Sequence, residues 1–353
     1  MSEYMLKKLP IDNNFNSVNI LELTNLANEA LNNLDKSITK IHNYELILQP
    51  LTIREAVASN EIENIRTTTL EMLQAELLSP ITLPTVQKEV IHYKQSLLKG
   101  FEKVIQKGSI NLEDLVEIHC GIVPDRVGIR NRSGVYVGNR LGEVVYTPPQ
   151  LEKEILEFLQ NLFEYMNSKQ KNSLIKIIIS HYQFEAIHPF FDGNGRMGRI
   201  LMALQFCMEN KLKYPILYTS GYILKNKATY YQLFKEIQNN NNWEDWIVFH
   251  LNGIINQASE TMDRVEEIDK LNKKFIKELN QQIKLQKLKK QNIEDYFFKK
   301  AFYTQTNMSK ELGLSRNTTK KYLETLHISK VLDQRQAGRE ILYFIPEFLD
   351  ILS

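Results

Sequence analysis

Cysteine is scarce in this sequence: Cys120 and Cys207 are the only two in 353 residues. Neither belongs to a CxxC pair or a Cys/His cluster, which argues against a structural zinc site. Both read as buried free thiols rather than a disulfide. Net charge is also small, formally +2, which removes any whole-chain attraction for nucleic acid or anionic membrane; basic surface must be local. No apolar run approaches the roughly 20 residues of a membrane-spanning helix, the longest candidate being Ile175 to Ile179. The N-terminus lacks a charged-then-apolar leader pattern. No Walker A lysine pattern occurs, so a P-loop NTPase is excluded. Internal repeats and low-complexity tracts are missing too. The expectation is a globular protein in a reducing, cytoplasmic setting, with no membrane partner.

What is present is an ordinary globular composition, 43% hydrophobic and 24% charged, in a chain long enough for roughly two to three domains. Apolar spacing predicts helices over Leu21 to Leu34, Leu51 to Leu78, Thr85 to about Lys107 and Leu112 to about Ile122, with prolines at 80 and 84 as breaks. Residues 128–149 are rich in glycine and β-branched residues and read as a hairpin, with Val135–Val137 and Val144–Tyr146 as its strands. Helical pattern resumes over Leu151 to Tyr165 and Leu174 to Ala186. A basic helical connector, Leu271 to Lys290, leads to a small unit. It comprises a helix Thr306 to Leu312, a turn Gly313 to Ser315, a second helix Arg316 to Leu326 and two strands, Val331–Leu332 and Ile341–Phe344.

The most informative run is His188 to Arg199. Gly193, Asn194 and Gly195 form a loop just before a helical pattern; amides at a helix start favour an anion, and glycines let a phosphate approach. Arg196 and Arg199, three apart, share a helix face and suit a polyphosphate. Asp192 is a carboxylate suited to Mg²⁺. His188 is a usable base near neutral pH. Gly193 to Gly198 also spells GxGxxG, but no core strand precedes it and no βαβ alternation follows, so a dinucleotide fold is rejected.

This segment resembles the Fic family motif, H-x-F-x-[D/E]-G-N-G-R-x-x-R, at every defined position, and the hairpin from Gly134 to Pro149 is similar to the family's flap. The resemblance implies a mainly α fold: a Fic-type helical core with a β-hairpin flap and a small C-terminal winged-helix domain. The matching division is an N-terminal helical region over 1–110, a catalytic core over 111–260, a connector helix over 261–290 and a winged helix-turn-helix over 291–353. It further implies transfer of AMP from ATP to a Ser, Thr or Tyr hydroxyl of a protein. His188 is then the base and Asp192 the Mg²⁺ ligand. Gly193, Asn194, Gly195 and Gly198 line the phosphates, and Arg196 and Arg199 hold the β- and γ-phosphates. Phe190 packs inward, and Val137, Gly138, Tyr230, Tyr231 and Gln238 surround the rest of the ATP. His181 and Cys207 read as structural.

The stretch Ser59 to Asn64 resembles the family's inhibitory motif, [S/T]-x-x-x-E-[G/N]. By that resemblance Glu63 pairs with Arg199, supported by Ser59 and Asn64, and ATP then binds unproductively, while Glu61 points elsewhere. Removal of AMP from a modified protein at the same site is an alternative, and a DNA-binding regulator is another. Arg316, Asn317, Thr318, Lys320 and Lys321 suit phosphates and base edges, and Lys330, Arg335 and Arg339 suit a wing. Self-modification and a homodimer are partners that the resemblance admits.

Overall fold

The computed structural model describes residues 5–39, 41, 44–75, 83–138, 144–170, 172–282, 296–298, 300–337 and 340–352. Among them are fourteen helices and two small antiparallel sheets. Near the centre lies α7 (Ser173–Ile187), buried on almost every side. A helix apolar all round belongs inside a core, and its one lysine is matched: the buried Lys176 donates to the Met166 and Ser168 carbonyls and pairs with Glu209. Beside it runs α8 (Asn194–Met208), equally buried. Around this pair pack α4 (Thr85–Lys107), α5 (Leu112–Ile122) and α6 (Glu152–Asn167). The spans of α4 and α5 agree with the periodicity. A capping box of Asn111 and Asp114 fixes the start of α5, and Asn172 caps α7 through the amides of Leu174 and Ile175.

The helix expected over Leu51 to Leu78 is two: α2 (Glu45–Ile62) and α3 (Thr69–Ala75), with 76–78 outside the described residues. The break falls at Asn64, whose φ of 65° is left-handed, a conformation asparagine tolerates better than most residues. Helix α1 (Val18–Thr39) lies along α11 (Trp243–Gln282), which runs for 40 residues straight through position 260, where the sequence reading divided core from connector. Helices α9 (Thr219–Lys225) and α10 (Lys227–Asn240) fill the space between α2 and α11.

The hairpin is shorter than expected: β1 (Val137–Gly138) pairs with β2 (Val144–Tyr146), and 139–143 lie outside the described residues. The C-terminal unit holds α12 (Gln305–Leu312) and α13 (Arg316–Ile328), the latter capped by Ser315. Beside them is a three-stranded sheet, β3 (Phe302–Tyr303), β4 (Asp333–Ala337) and β5 (Glu340–Phe344), in the order β3-β5-β4. Strand β3 goes beyond the two strands that the sequence suggested. The last helix, α14 (Pro346–Leu352), returns to α2, α3 and α11, and Arg54 of α2 donates to the Leu352 carbonyl.

Helix α2 is pinned from below by the buried Glu55, whose carboxylate accepts from the Tyr93 hydroxyl at 2.9 Å and from the amide and hydroxyl of Ser220. Burial raises that carboxyl above its ordinary value, while the hydrogen bonds from Ser220 and Tyr93 oppose the shift. Tyr93→Phe removes a donor from a buried acceptor and is expected to lower unfolding stability by about 1–3 kcal/mol in urea titration. An unchanged midpoint would show that Tyr93 contributes nothing to holding α2.

Candidate active site

Two helix ends and the loop between them build the site. Helix α7 ends at His188, which adopts φ 50° and ψ 59° and turns the chain sharply. Residues 189–192 cross to Gly193, whose φ of 74° starts α8. Asn194 holds the loop from inside: its side chain accepts from the Phe190 amide at 2.9 Å and donates to the Phe190 carbonyl at 2.8 Å. Phe190 is fully buried and stacks on His119 with ring centroids 3.6 Å apart, in keeping with its expected inward packing. The Asp192 carboxylate accepts from the Gly193 amide at 2.6 Å. The Gly193 amide is therefore already engaged, and the open first-turn donors of α8 are those of Asn194, Gly195 and Arg196, which helix geometry leaves without an intrahelical acceptor.

The loop also depends on residues that the motif does not contain. His119 Nε2, on α5, donates to the Asp192 carbonyl at 2.8 Å. The fully buried Arg130 donates through Nε to the His188 carbonyl at 2.8 Å, through Nη2 to the Pro149 carbonyl, and through its amide to the Pro189 carbonyl. It thus ties the hairpin base to the catalytic loop. Glu89 of α4 pairs with Arg196 at 2.7 Å, and Glu185 sits behind Gly198. None of these carries a local signal in the sequence, because each comes from a different helix or loop and only folding assembles them.

His188 Nδ1 lies 3.3 Å from the Glu185 carbonyl. A carbonyl can only accept, so Nδ1 carries the proton and Nε2 is left as the basic nitrogen. Burial lowers its pKa to about 4, with a further push from Arg130 outweighed by the bond to Glu185 and nearby carboxylates. The ring is therefore neutral across the physiological range.

Arg199 is almost fully buried. Its Nε donates to the Ser59 hydroxyl at 2.8 Å, and Nη2 donates to the Ser59 carbonyl at 3.0 Å and to Glu63 Oε1 at 2.8 Å. Burial raises the Glu63 carboxyl, but Arg199, with Arg196 and Lys227, pulls it below its ordinary value, so it is ionised. A side chain at Gly195 would overlap Glu63 Oε1: the Glu63 carboxylate lies against the first turn of α8. Glu63 closes α2, Asn64 supplies the left-handed turn after it, and Lys227 donates to the Ile62 carbonyl. The contact expected between residues 59–63 and Arg199 is thus present across 136 positions of sequence.

Of the other expected residues, Tyr230 is buried, with its hydroxyl 3.0 Å from His181 Nε2 and its ring among Trp246, Phe249 and His250. Tyr231 is 41% exposed, and its hydroxyl is pushed up to about 12 by burial and then by Glu63. Gln238 Nε2 is buried with no hydrogen-bond partner among the described residues. Val137 and Gly138 form β1, whose side-chain environment lies outside the described residues. Cys120 and Cys207 are free. No group of three or more His, Cys, Asp or Glu able to hold a metal occurs among the described residues, and the Asp192 side chain is about half exposed. One open carboxylate suits Mg²⁺, which takes one or two carboxylates and completes its shell with phosphate oxygens and water.

Residues 109–206 match the Fic/DOC family and residues 21–102 match the Fic/DOC family N-terminal region. The chain belongs to the Fic/DOC family. It is 35% identical over 106 residues to the protein adenylyltransferase Fic of Drosophila grimshawi, which is 28% of this chain and 20% of that protein. To the protein of the same name from Nematostella vectensis it is 31% identical over 196 residues, 50% of this chain and 44% of the relative. The matched stretch thus spans less than half the length of these curated relatives. A Fic family protein from Desulfovibrio desulfuricans has the same fold, with a TM-score of 0.60 at 18% identity over 97% of this chain and 98% of that one. Fic-1 from C. elegans superposes with a TM-score of 0.55 at 17% identity, over 71% and 74% of the two chains. No helix among the described residues is long and apolar enough to cross a membrane.

An NMR titration of the imidazoles is expected to find His188 neutral down to a midpoint of about 4. Because the folded value lies below the unfolded one of 6.5, its contribution to stability is intact above that pH and is lost as the pH falls toward about 4. A midpoint near 6.5 would mean that the ring is open to water.

Proposed function

We propose that this chain is a protein adenylyltransferase held in check by Glu63. The observation that carries the reading is the arrangement around one helix end: a neutral histidine with Nε2 free, three open amides at the start of α8, and a buried arginine occupied by the carboxylate that closes α2. In the reaction, a Ser, Thr or Tyr hydroxyl oxygen of a target protein attacks the α-phosphorus of ATP. His188 Nε2 takes the hydroxyl proton, the bond from the α-phosphorus to the bridging oxygen breaks, and pyrophosphate leaves. The amides of α8 stabilise the charge on the α-phosphate. Arg196 and Arg199 hold the β- and γ-phosphates. Asp192 would bind Mg²⁺, which neutralises phosphate charge when bound. Tyr231 and Gln238 face the nucleoside, Tyr230 backs them, and Val137 and Gly138 of the flap line the nucleotide.

Glu63 opposes this in two ways. It occupies the guanidinium that the γ-phosphate needs, and it places negative charge against the helix turn meant for phosphate. A charge-assisted hydrogen bond contributes about 1.5–3 kcal/mol, so displacing it costs roughly 10- to 150-fold in productive ATP binding. Ser59 holds the same guanidinium through both its hydroxyl and its carbonyl, and Asn64 sets the turn that aims Glu63. The division into N-terminal region, core, connector and C-terminal unit belongs to this reading. So do a cytoplasmic setting, self-modification and a homodimer. We assign the C-terminal unit as a winged helix able to contact DNA through the exposed Arg316, Asn317, Lys320 and Lys321 of α13.

The test is transfer of radiolabel from α-labelled ATP, with Mg²⁺, to the protein itself and to a lysate. Glu63→Gly is expected to raise labelling at least about 10-fold. His188→Ala in that background should lower it by about 100-fold or more. Labelling from γ-labelled ATP instead would replace AMP transfer with phosphoryl transfer. Loss of AMP from a modified target, with no labelling, would favour the reverse reaction.

A further inference from the structure

One ionisable group beside the site, Glu185, has no part in the proposed reaction. Glu185 lies on α7 one turn before His188, and its carbonyl accepts from His188 Nδ1. Its side chain turns toward α8: a Cβ at Gly198 would overlap Glu185 Oε1 and come within 3.0 Å of Phe184 Cδ1. The glycine at 198 is therefore the space that this carboxyl fills. Glu185 Oε1 is shielded from solvent and has no hydrogen-bond partner among the described residues. A buried acceptor left unpaired carries a desolvation cost, and in native structures such atoms are few and ask for an explanation. Burial raises the carboxyl to about 7, Arg199 opposing and Glu63 reinforcing the shift. So both the guanidinium and the inhibitory carboxylate are its neighbours.

The chemistry of ATP narrows what could satisfy that oxygen. Ionised or protonated, a carboxyl keeps an oxygen that needs a donor, and phosphate oxygens offer none near neutral pH. The donors on ATP are the two ribose hydroxyls and the adenine amine. Glu185 is three residues from the base that acts at the α-phosphorus, and the sugar is the part of the nucleotide next to that atom. The unpartnered amide donor of Gln238, on a different helix, is left for the nucleobase. We propose that the Glu185 carboxyl accepts a hydrogen bond from a ribose hydroxyl of the bound nucleotide, and so makes the site discriminate ribonucleotides from deoxyribonucleotides. Gly198 has a matching duty: any side chain there would evict the carboxyl. This inference rests on the assignment of the site to ATP.

Calorimetric binding, which needs no turnover, separates the two. The full chain carrying Glu63→Gly and His188→Ala would be titrated with ATP, 2′-deoxy-ATP and 3′-deoxy-ATP, with Glu185 intact or replaced by Ala or by the isosteric Gln. With Glu185 present, loss of one of the two hydroxyls is expected to weaken binding roughly 10- to 100-fold. With Glu185→Ala, all three nucleotides should bind within about twofold of one another, since no acceptor remains to be left unpaired. Glu185→Gln, which keeps an acceptor oxygen, should retain part of the discrimination. If Glu185→Ala and Glu185→Gln weaken all three nucleotides equally, Glu185 acts only on the fold or on Arg199, and the inference is overturned. Equal binding of all three by the Glu185-intact protein would overturn it as well. A chain that binds no ATP at all would overturn the nucleotide assignment, and the inference with it.

Discussion

The site is organised around the guanidinium of Arg199, which is almost fully buried and whose charge is matched where it stands. Removing a charge from water costs several kcal/mol unless a partner compensates. Here one serine supplies both its oxygens and one glutamate supplies the opposite charge. In the proposed reaction that demand is handed from a carboxylate to a phosphate, so that inhibition and catalysis would compete for one cation, and α2 must be anchored firmly enough to present Glu63 to it. The Glu55, Tyr93 and Ser220 contacts meet that need one and two turns back along the same face of the helix.

The loop from His188 to Gly193 is held in place in a related way. Its carbonyls and amides are satisfied by side chains rather than by regular backbone pairing: Asn194 spans it, His119 and Arg130 hold it from outside, and Phe190 fills its interior. A left-handed histidine is sterically unfavourable. It persists because its carbonyl and both flanking segments are held in place. The contact of Nδ1 with the Glu185 carbonyl leaves Nε2 as the nitrogen without a proton.

The long helices were readable because their apolar spacing persists over many turns, and α4 and α5 begin and end where proline, asparagine and glycine signals stand. The site was legible as one continuous run from His188 to Arg199, along with Glu63 from a short motif. Four features were not. The division between α2 and α3 hangs on one left-handed Asn64, which looks in sequence like any other helical polar residue. The three-residue stretch 128–130 reads as the start of a hairpin, yet its arginine is the buried tie between hairpin and loop. Glu89, His119 and Glu185 acquire meaning only through residues 73 to 107 positions away or through a glycine on the next helix. The continuity of α11 was hidden by its change in composition from apolar to basic, which altered its surroundings but not its helicity.

The contact of α14 with α2 and α11 gives the molecule a closed mechanical circuit. A helix of 40 residues is about 60 Å long. Its first half backs Tyr230 through Trp246 and His250, while farther along it meets α14 through Lys274 and Glu347. From α14 the path returns through Leu352 and Arg54 to the helix that ends in Glu63. The C-terminal unit is thus not a pendant on a flexible tether. It is one side of a braced frame, and displacing it would load the strut that carries Glu63.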